Sequence, residues 1–324
     1  MRESNGVALE VQGLRKVFRD RGSGEVCAVD GIDFSVRSGE VVGLLGPNGA
    51  GKTTTIKCIL GLVRPTAGRV AIFGYDVMDH YPGILRKASA VLEGSRNVYW
   101  RMTVWENVTF FAGIHGIPLN EGRPYFEHLI RIFGLQDKRD AEVRKLSQGM
   151  KQKTAVVCAL AKRTPLVFLD EPTLGLDVET SYELRETLRS LAQEENRTII
   201  LSSHNMDVVQ DVCRRVIIMS SGRIAADDSV DHLMSLFKTR AYHITLNGPV
   251  PEGLKETLIS RFPGVTFDNV GRTSELRLQI PEPEDIYRLM NIFSQAGAII
   301  EGISQEEPDL EKVFLEIVRR GREN

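Results

Sequence analysis

One stretch limits what this chain can fold into more than any other: Val41-Val42-Gly43-Leu44-Leu45-Gly46-Pro47-Asn48-Gly49-Ala50-Gly51-Lys52-Thr53-Thr54. An apolar run enters a glycine-studded turn, and the turn opens into a helix-forming segment, Thr54 to Leu62. From Gly46 the spacing is Gly, four residues, then Gly51-Lys52-Thr53, which is the phosphate-loop (Walker A) pattern. Gly46, Gly49 and Gly51 let the backbone curl without β-carbon clashes, so successive N–H groups converge on phosphate oxygens. The helix that follows puts the positive end of its dipole at the same place. Lys52 can reach the β- and γ-phosphates, and the Thr53 hydroxyl is placed to ligate Mg²⁺. The alternative, a glycine-rich turn that binds nothing, does not account for the lysine and threonine behind it. The pattern implies a nucleotide site.

A chain of 324 residues suits two domains better than one. A net charge of −2 gives no global electrostatic reason to expect a nucleic-acid partner, and none is expected. Cys27, Cys58, Cys158 and Cys213 are far apart, which suits reduced thiols rather than a disulfide framework or a zinc site. The segment Met1 to Gly6 lacks the apolar core of a signal peptide, and no apolar run approaches the ~18–20 residues that span a bilayer. Any membrane role is therefore expected to come through a second chain.

Short strand-like runs occur at Ala8 to Val11 and Ile32 to Val36, separated by the polar segment Arg19 to Glu25. Arg69 to Phe73 and Ser89 to Leu92 read as further strands. From about Asn97 to Leu146 the rhythm turns helical. Trp105, Val108, Thr109 and Ala112 fit one stripe, and Phe126, Leu129, Ile130 and Phe133 a second. Strands return as nearly continuous apolar runs at Leu166 to Asp170, Thr198 to Ser202 and Val216 to Met219, as expected of strands buried on both faces of a parallel sheet. A helix-capable stretch, Glu179 to Glu195, separates the first two, so the expected core is a doubly wound α/β layer with a helical insertion. The run Leu166 to Asp170 also delivers Asp170 and Glu171 to a strand end. Asp170 is suited to hold Mg²⁺, and Glu171 to take a proton from a water attacking the γ-phosphate.

These features alone fit a kinase, a GTPase or a helicase. The stretch that separates the readings is Leu146-Ser147-Gln148-Gly149-Met150-Lys151-Gln152. It resembles the signature motif of ABC-type ATPases, usually Leu-Ser-Gly-Gly-Gln, departing from it at Gln148 and Met150. Ser147 and Gly149 are kept, and both sit where a hydroxyl and a freed N–H begin a helix, Met150 to Leu160. The resemblance implies that Ser147, Gln148 and Gly149 face ATP bound by a second copy of the chain. It implies that Leu174-Gly175-Leu176-Asp177 is a loop crossing that dimer interface, that His204 contacts the γ-phosphate, and that Phe18 stacks on adenine. One position departs. Where the family carries a glutamine, this chain has Glu93. A carboxylate there attracts Mg²⁺ and repels the γ-phosphate by similar amounts, on the order of 3 kcal/mol at ~5 Å and an effective dielectric of ~20. Glu93 is read as a working catalytic and metal-facing residue. Trp100 and Trp105, beside Tyr99 and Phe110, are read either as anchors of a groove for a membrane subunit or as core.

The remainder has a different rhythm. Asp228 to Arg240 reads as a linker helix capped by Asp228. It is followed by strand (Tyr242 to Leu246), helix (Pro251 to Arg261), strand (Val265 to Asn269), strand (Glu275 to Ile280), a helix striped by Ile286, Leu289, Met290 and Phe293, strand (Ala298 to Ile303) and a final helix through Leu310, Val313, Phe314 and Ile317. That order predicts a small ferredoxin-like βαββαβ sandwich. The tail Pro308 to Phe314 is similar to the accessory domain on ATPase subunits of drug, antibiotic and ABC-2-type exporters. The expected division is an ATPase domain at 1–227 with a helical subdomain at about 95–160, a linker at 228–240 and an accessory domain at 241–324. The resemblance implies an ATP-hydrolysing, Mg²⁺-dependent subunit of an export-type transporter, working as a dimer on transmembrane permease subunits at the cytoplasmic side of the cell membrane. An importer subunit and a soluble non-transport factor are the alternatives. The latter typically carries two such modules or a long coiled coil, and this chain shows one Walker A and no sustained heptads.

Overall fold

Apolar runs of five or six residues, closed by glycine or by acidic and hydroxyl side chains, have to be covered on both faces, and a parallel sheet between helices does this. In the computed structural model, which describes residues 6–20, 24–94, 97–236, 241–262, 264–270, 273–280, 285–305 and Phe314, two compact units are present, dividing between Asp231 and His232. The first contains β1 (Val7–Asp20), β2 (Gly24–Arg37), β3 (Val41–Leu45), α1 (Lys52–Ile59), β4 (Ala67–Ile72), β5 (Tyr75–Asp76), α2 (Tyr81–Leu85) and β6 (Ala88–Val91). It continues through α3 (Val104–Ile114), α4 (Leu119–Ile132), α5 (Gln148–Ala161), β7 (Leu166–Asp170), α6 (Val178–Glu195), β8 (Thr198–Ser203), α7 (Met206–Val212), β9 (Arg215–Ser220) and β10 (Arg223–Ser229).

The central sheet has the order β10-β9-β3-β8-β7-β6. From β9 to β6 every pairing is parallel, and β10 closes one edge antiparallel. Every residue of β7 and β8 is buried, which explains the apolar runs Leu166 to Leu169 and Ile199 to Leu201. A second, antiparallel sheet, β2-β1-β4-β5, contributes Leu9, Leu14, Ile32 and Val36 to a core shared with Val42, Ile56, Phe168 and Ile217. The strand-like runs at Ala8 and Ile32 are the inner halves of β1 and β2, which continue through Leu14 to Phe18 and pair as far as Asp20 and Gly24. The outer half of β2 is exposed at Gly24 through Cys27, so alternation is lost there although pairing continues.

The insertion is helical as expected. Thr103 caps α3 in a reciprocal capping box with Glu106, and Val108, Ala112, Phe126, Leu129, Ile130 and Phe133 are buried. Trp105 is half-buried, with the Arg139 guanidinium 4.0 Å and the Arg123 guanidinium 5.3 Å from its ring centroid, and it meets Phe126 edge-on. Trp105 is a packing residue. Trp100 is 46% exposed, beside the exposed Tyr99 and Phe110.

The second unit holds β11 (Ala241–Asn247), α9 (Glu252–Arg261), β12 (Thr266–Val270), β13 (Thr273–Gln279), α10 (Asp285–Gln295) and β14 (Ile299–Gln305). The helix α8 (Val230–Leu236) leads into it. Its strand order β12-β13-β11-β14, all antiparallel, is that of a ferredoxin-like βαββαβ sandwich. Leu254, Leu258, Leu276, Leu278, Leu289 and Phe293 form its own core. Asp228 pairs with Val216 in the β10–β9 ladder, and α8 begins at Val230. Residues 237–240 of the expected linker and the final helix through Leu310, Val313 and Ile317 lie outside the described residues; Phe314 is helical and buried.

Candidate active site

The turn after β3 is shaped by positions that only glycine fills. Gly51 has φ 102°, and a Cβ there would stand 2.3 Å from the Ala28 carbonyl oxygen. A Cβ on Gly46 would stand 2.5 Å from the carbonyl oxygen of Met219. Gly51 is also the left-handed cap of α1, so the helix begins at Lys52, two residues before the predicted Thr54, and Lys52 and Thr53 are its first residues. The Lys52 ammonium, almost wholly buried, donates to the Gly46 carbonyl at 2.6 Å and the Pro47 carbonyl at 3.3 Å, and lies 3.4 Å from Glu171 Oε1. Buried charge is tolerated only when paired in this way.

Parallel pairing of β7 with β8 sets Asp170 opposite Ser202. The Ser202 hydroxyl donates to Asp170 Oδ1, and the Thr53 hydroxyl donates to the same oxygen at 3.1 Å. Asp170 Oδ2 is buried and has no hydrogen-bond partner among the described residues. An orphaned carboxylate oxygen next to a threonine hydroxyl is a donor set that suits a hard divalent cation, so Thr53 and Asp170 fit Mg²⁺. Glu171 follows in the left-handed region at φ 49°, a strained conformation for this residue type. Its N–H is held at 3.1 Å by the Ser202 carbonyl and at 3.1 Å by the Ser202 hydroxyl. The strain turns the Glu171 carboxylate between Lys52 and His204, whose Nδ1 lies 3.0 Å from Glu171 Oε2.

These groups open on a cleft of about 510 Å³ lined by the loop from Asn48 to Thr54, by Glu93, Glu171, Leu174 and His204, and by Val26, Cys27 and Ala28 of β2. Glu93, just beyond β6, thus shares the cleft with Lys52 and Thr53. Asn97 fixes the loop that carries it, accepting from the Leu92 N–H and donating to the Leu92 and Gly94 carbonyls. Phe18 is 42% exposed and does not line the cleft; it is the strand partner of Val26, which does.

Ser147, Gln148, Gly149 and Asp177 lie away from that cleft and come together elsewhere. Ser147 caps α5, its hydroxyl accepting from the Met150 N–H at 3.2 Å. Asp177 caps α6 through the Thr180 N–H and hydroxyl, both at 2.8 Å, and the backbone bond from Thr180 holds its carboxyl below the usual carboxylate range. Gly149 lets α5 pass that cap: a Cβ there would meet the Thr180 methyl at 2.5 Å.

Four further residues shape the site: Ser202, and Val26, Cys27 and Ala28 of β2. Ser202 reads as the end of an apolar strand, yet it holds both Asp170 and Glu171. A hydroxyl pair, Ser202-Ser203, closing an otherwise apolar run was the available signal. Val26, Cys27 and Ala28 carry no signal, because their place beside the loop depends on how β2 pairs.

Comparison with known proteins agrees with this geometry. Residues 29–174 match the family model described as ABC transporter. The daunorubicin/doxorubicin resistance ATP-binding protein DrrA of Streptomyces peucetius is 30% identical over 308 residues, covering 95% of this chain and 91% of that protein. The methionine import ATP-binding protein MetN of Geobacillus kaustophilus is 34% identical over 228 residues, covering 69% of this chain and 66% of that one. A solved ATP-binding subunit of an ABC transporter superposes with a TM-score of 0.62 at 32% identity, over 71% of this chain and 93% of that one. A phosphate loop with its lysine, an acidic strand end seated by Ser202, a histidine on the second carboxylate and these likenesses lead to one conclusion: this chain belongs to the ABC transporter family as an ATP-binding, ATP-hydrolysing subunit.

Proposed function

We propose that the chain powers an export-type transporter, working as a pair of copies against transmembrane permease subunits at the cytoplasmic face of the membrane. One observation carries the direction. The likeness to the drug-resistance protein DrrA extends over 95% of the chain, through the ferredoxin-like unit, whereas likenesses to methionine import proteins cover 69% to 77%. Among the described residues no helix is long and apolar enough to cross a membrane.

In this reading the loop from Gly46 to Thr54 and the Lys52 ammonium bind the triphosphate, and Thr53 and Asp170 hold Mg²⁺. The bound cation neutralises phosphate charge. Glu171, held by Ser202, takes the proton of the attacking water, and His204 orients the Glu171 carboxylate from its far side. The adenine end is assigned to the ribbon at Val26 and Phe18. Ser147, Gln148 and Gly149 of a second copy face the γ-phosphate, with Asp177 setting the junction of α5 and α6 behind them. The exposed Tyr99, Trp100 and Phe110 are assigned to the permease.

The test is a native-host strain whose chain carries Glu171→Gln, scored for retention of a panel of amphipathic compounds and for uptake of small nutrients including methionine. Raised retention of panel compounds supports export. Normal retention across the panel with loss of nutrient uptake assigns import.

A further inference from the structure

The charge balance of the cleft leads to an inference that rests on the assignment of Thr53 and Asp170 to Mg²⁺. Among the described residues Lys52 is the one lysine or arginine lining the cleft, and its ammonium already faces Glu171 at 3.4 Å and two backbone carbonyls. Against that single positive charge stand three carboxylates: Glu171 and Glu93 in the lining, and Asp170 directly behind the Thr53 hydroxyl. Among the described residues Glu93 has no ion pair or hydrogen bond, and it lines the cleft that a nucleotide would enter. A triphosphate brings several further negative charges into the cleft beside these carboxylates.

We propose that Glu93 makes nucleotide capture conditional on the divalent cation: the cleft discriminates against metal-free ATP and accepts the metal complex. The reasoning follows from sign alone. For bare ATP, Glu93 contributes repulsion from the phosphates with nothing to offset it. For the metal complex, the same carboxylate attracts the cation while repelling the phosphates, and the two effects largely cancel. The penalty therefore falls on one form of the nucleotide. A neutral glutamine of nearly the same shape at this position would bind both forms without that distinction. Glu93 is thus a specificity residue for the form of the nucleotide, distinct in role from Thr53 and Asp170, which fit the cation itself.

The experiment measures the affinity of the full-length chain for the non-hydrolysable analogue AMP-PNP by titration calorimetry, once with Mg²⁺ and once with excess EDTA. The wild-type chain and Glu93→Gln are compared through the ratio of the two dissociation constants. Glu93→Gln is expected to shrink that ratio at least tenfold (about 1.4 kcal/mol), chiefly by tightening the metal-free measurement. A ratio unchanged within twofold overturns the proposal. Asp170→Asn, measured in parallel, separates this failure from failure of the underlying site. If Asp170→Asn abolishes the Mg²⁺ preference while Glu93→Gln leaves it intact, the cation site stands and the role of Glu93 falls. If Asp170→Asn leaves the preference intact, the cation site itself is misassigned and the inference falls with it. Glu93 is exposed at a loop, so its replacement does not threaten folding.

Discussion

Ser202 offers the sharpest test of how this site is held. Replacing it with alanine removes a hydroxyl and adds nothing, so no clash or sizeable cavity confuses the result. Two interactions disappear: the bond donated to the buried Asp170 carboxylate, and the one accepted from the Glu171 N–H. A hydrogen bond to a buried charge contributes about 1.5–3 kcal/mol and a neutral one about 0.5–1.5 kcal/mol. The Glu171 N–H keeps the Ser202 carbonyl as acceptor, so its share lies at the low end. Together the loss is about 2–4 kcal/mol, a large part of the ~5–15 kcal/mol typical of a folded domain. Both tryptophans, Trp100 and Trp105, lie in the first unit, so urea unfolding followed by tryptophan fluorescence reads the unit that contains Ser202. With its seat loosened, Asp170 should also demand several-fold more Mg²⁺ for half-maximal ATP hydrolysis. Ser203→Ala is the control. Among the described residues its hydroxyl serves only the Asn205 N–H, so it should cost about 0.5–1.5 kcal/mol and leave the Mg²⁺ midpoint alone. A Ser202→Ala variant that loses under about 0.5 kcal/mol, the low end for a single neutral bond, with an unchanged Mg²⁺ midpoint would refute the reasoning.

Glu171→Gln should lower ATP hydrolysis by roughly 10²–10⁴ while leaving AMP-PNP affinity within a few-fold; hydrolysis near the wild-type rate would remove Glu171 from the base role. Burial pushes the thiol of Cys58 up to about 11 and those of Cys158 and Cys213 up to about 12, whereas Cys27 is exposed in the cleft. Maleimide at neutral pH should therefore label Cys27 first, and AMP-PNP with Mg²⁺ should protect it; labelling unaffected by nucleotide would move the ligand away from β2. Burial, with the nearby Lys162 charge adding to it, holds His115 below the usual histidine range. The unfolded chain then takes up that proton first, so this contribution to stability is present above the ordinary histidine pKa and lost as pH falls through it. His115→Gln should flatten urea midpoints measured between pH 7.5 and about 5.5, a window set by the ordinary histidine value; an unchanged pH slope would rule His115 out.

Much of the molecule is legible in the chain because local chemistry dictates it. Gly46 and Gly51 occupy positions where a β-carbon would strike backbone, and Lys52 and Thr53 follow at the only place a helix can start after such a turn. The middles of β7, β8 and β9 are apolar because both faces are covered. In the second unit, the alternation of Leu276, Leu278 and Ile280 and the stripe of Leu289 and Phe293 mark faces that turn inward, and the βαββαβ order follows.

What the chain conceals is register. Period-two alternation fixes which residues of a half-buried strand face inward, but strands buried on both faces carry no such mark, and sliding β8 by one residue against β7 would leave both runs equally apolar. Yet that slide would carry Ser202 away from Asp170 and leave a buried carboxylate with Thr53 alone. The register is therefore specified at the polar ends rather than along the apolar middles. Ser202 and the Glu171 N–H find each other, and Ser202 finds Asp170, in the observed pairing. Phe18 shows the same dependence from the other side. Its distance from the cleft is set by how far β1 and β2 run past the core, which no periodicity reports. The residues that hold the catalytic carboxylates thus also align the sheet, so damage to Ser202 should appear in stability and in Mg²⁺ dependence together.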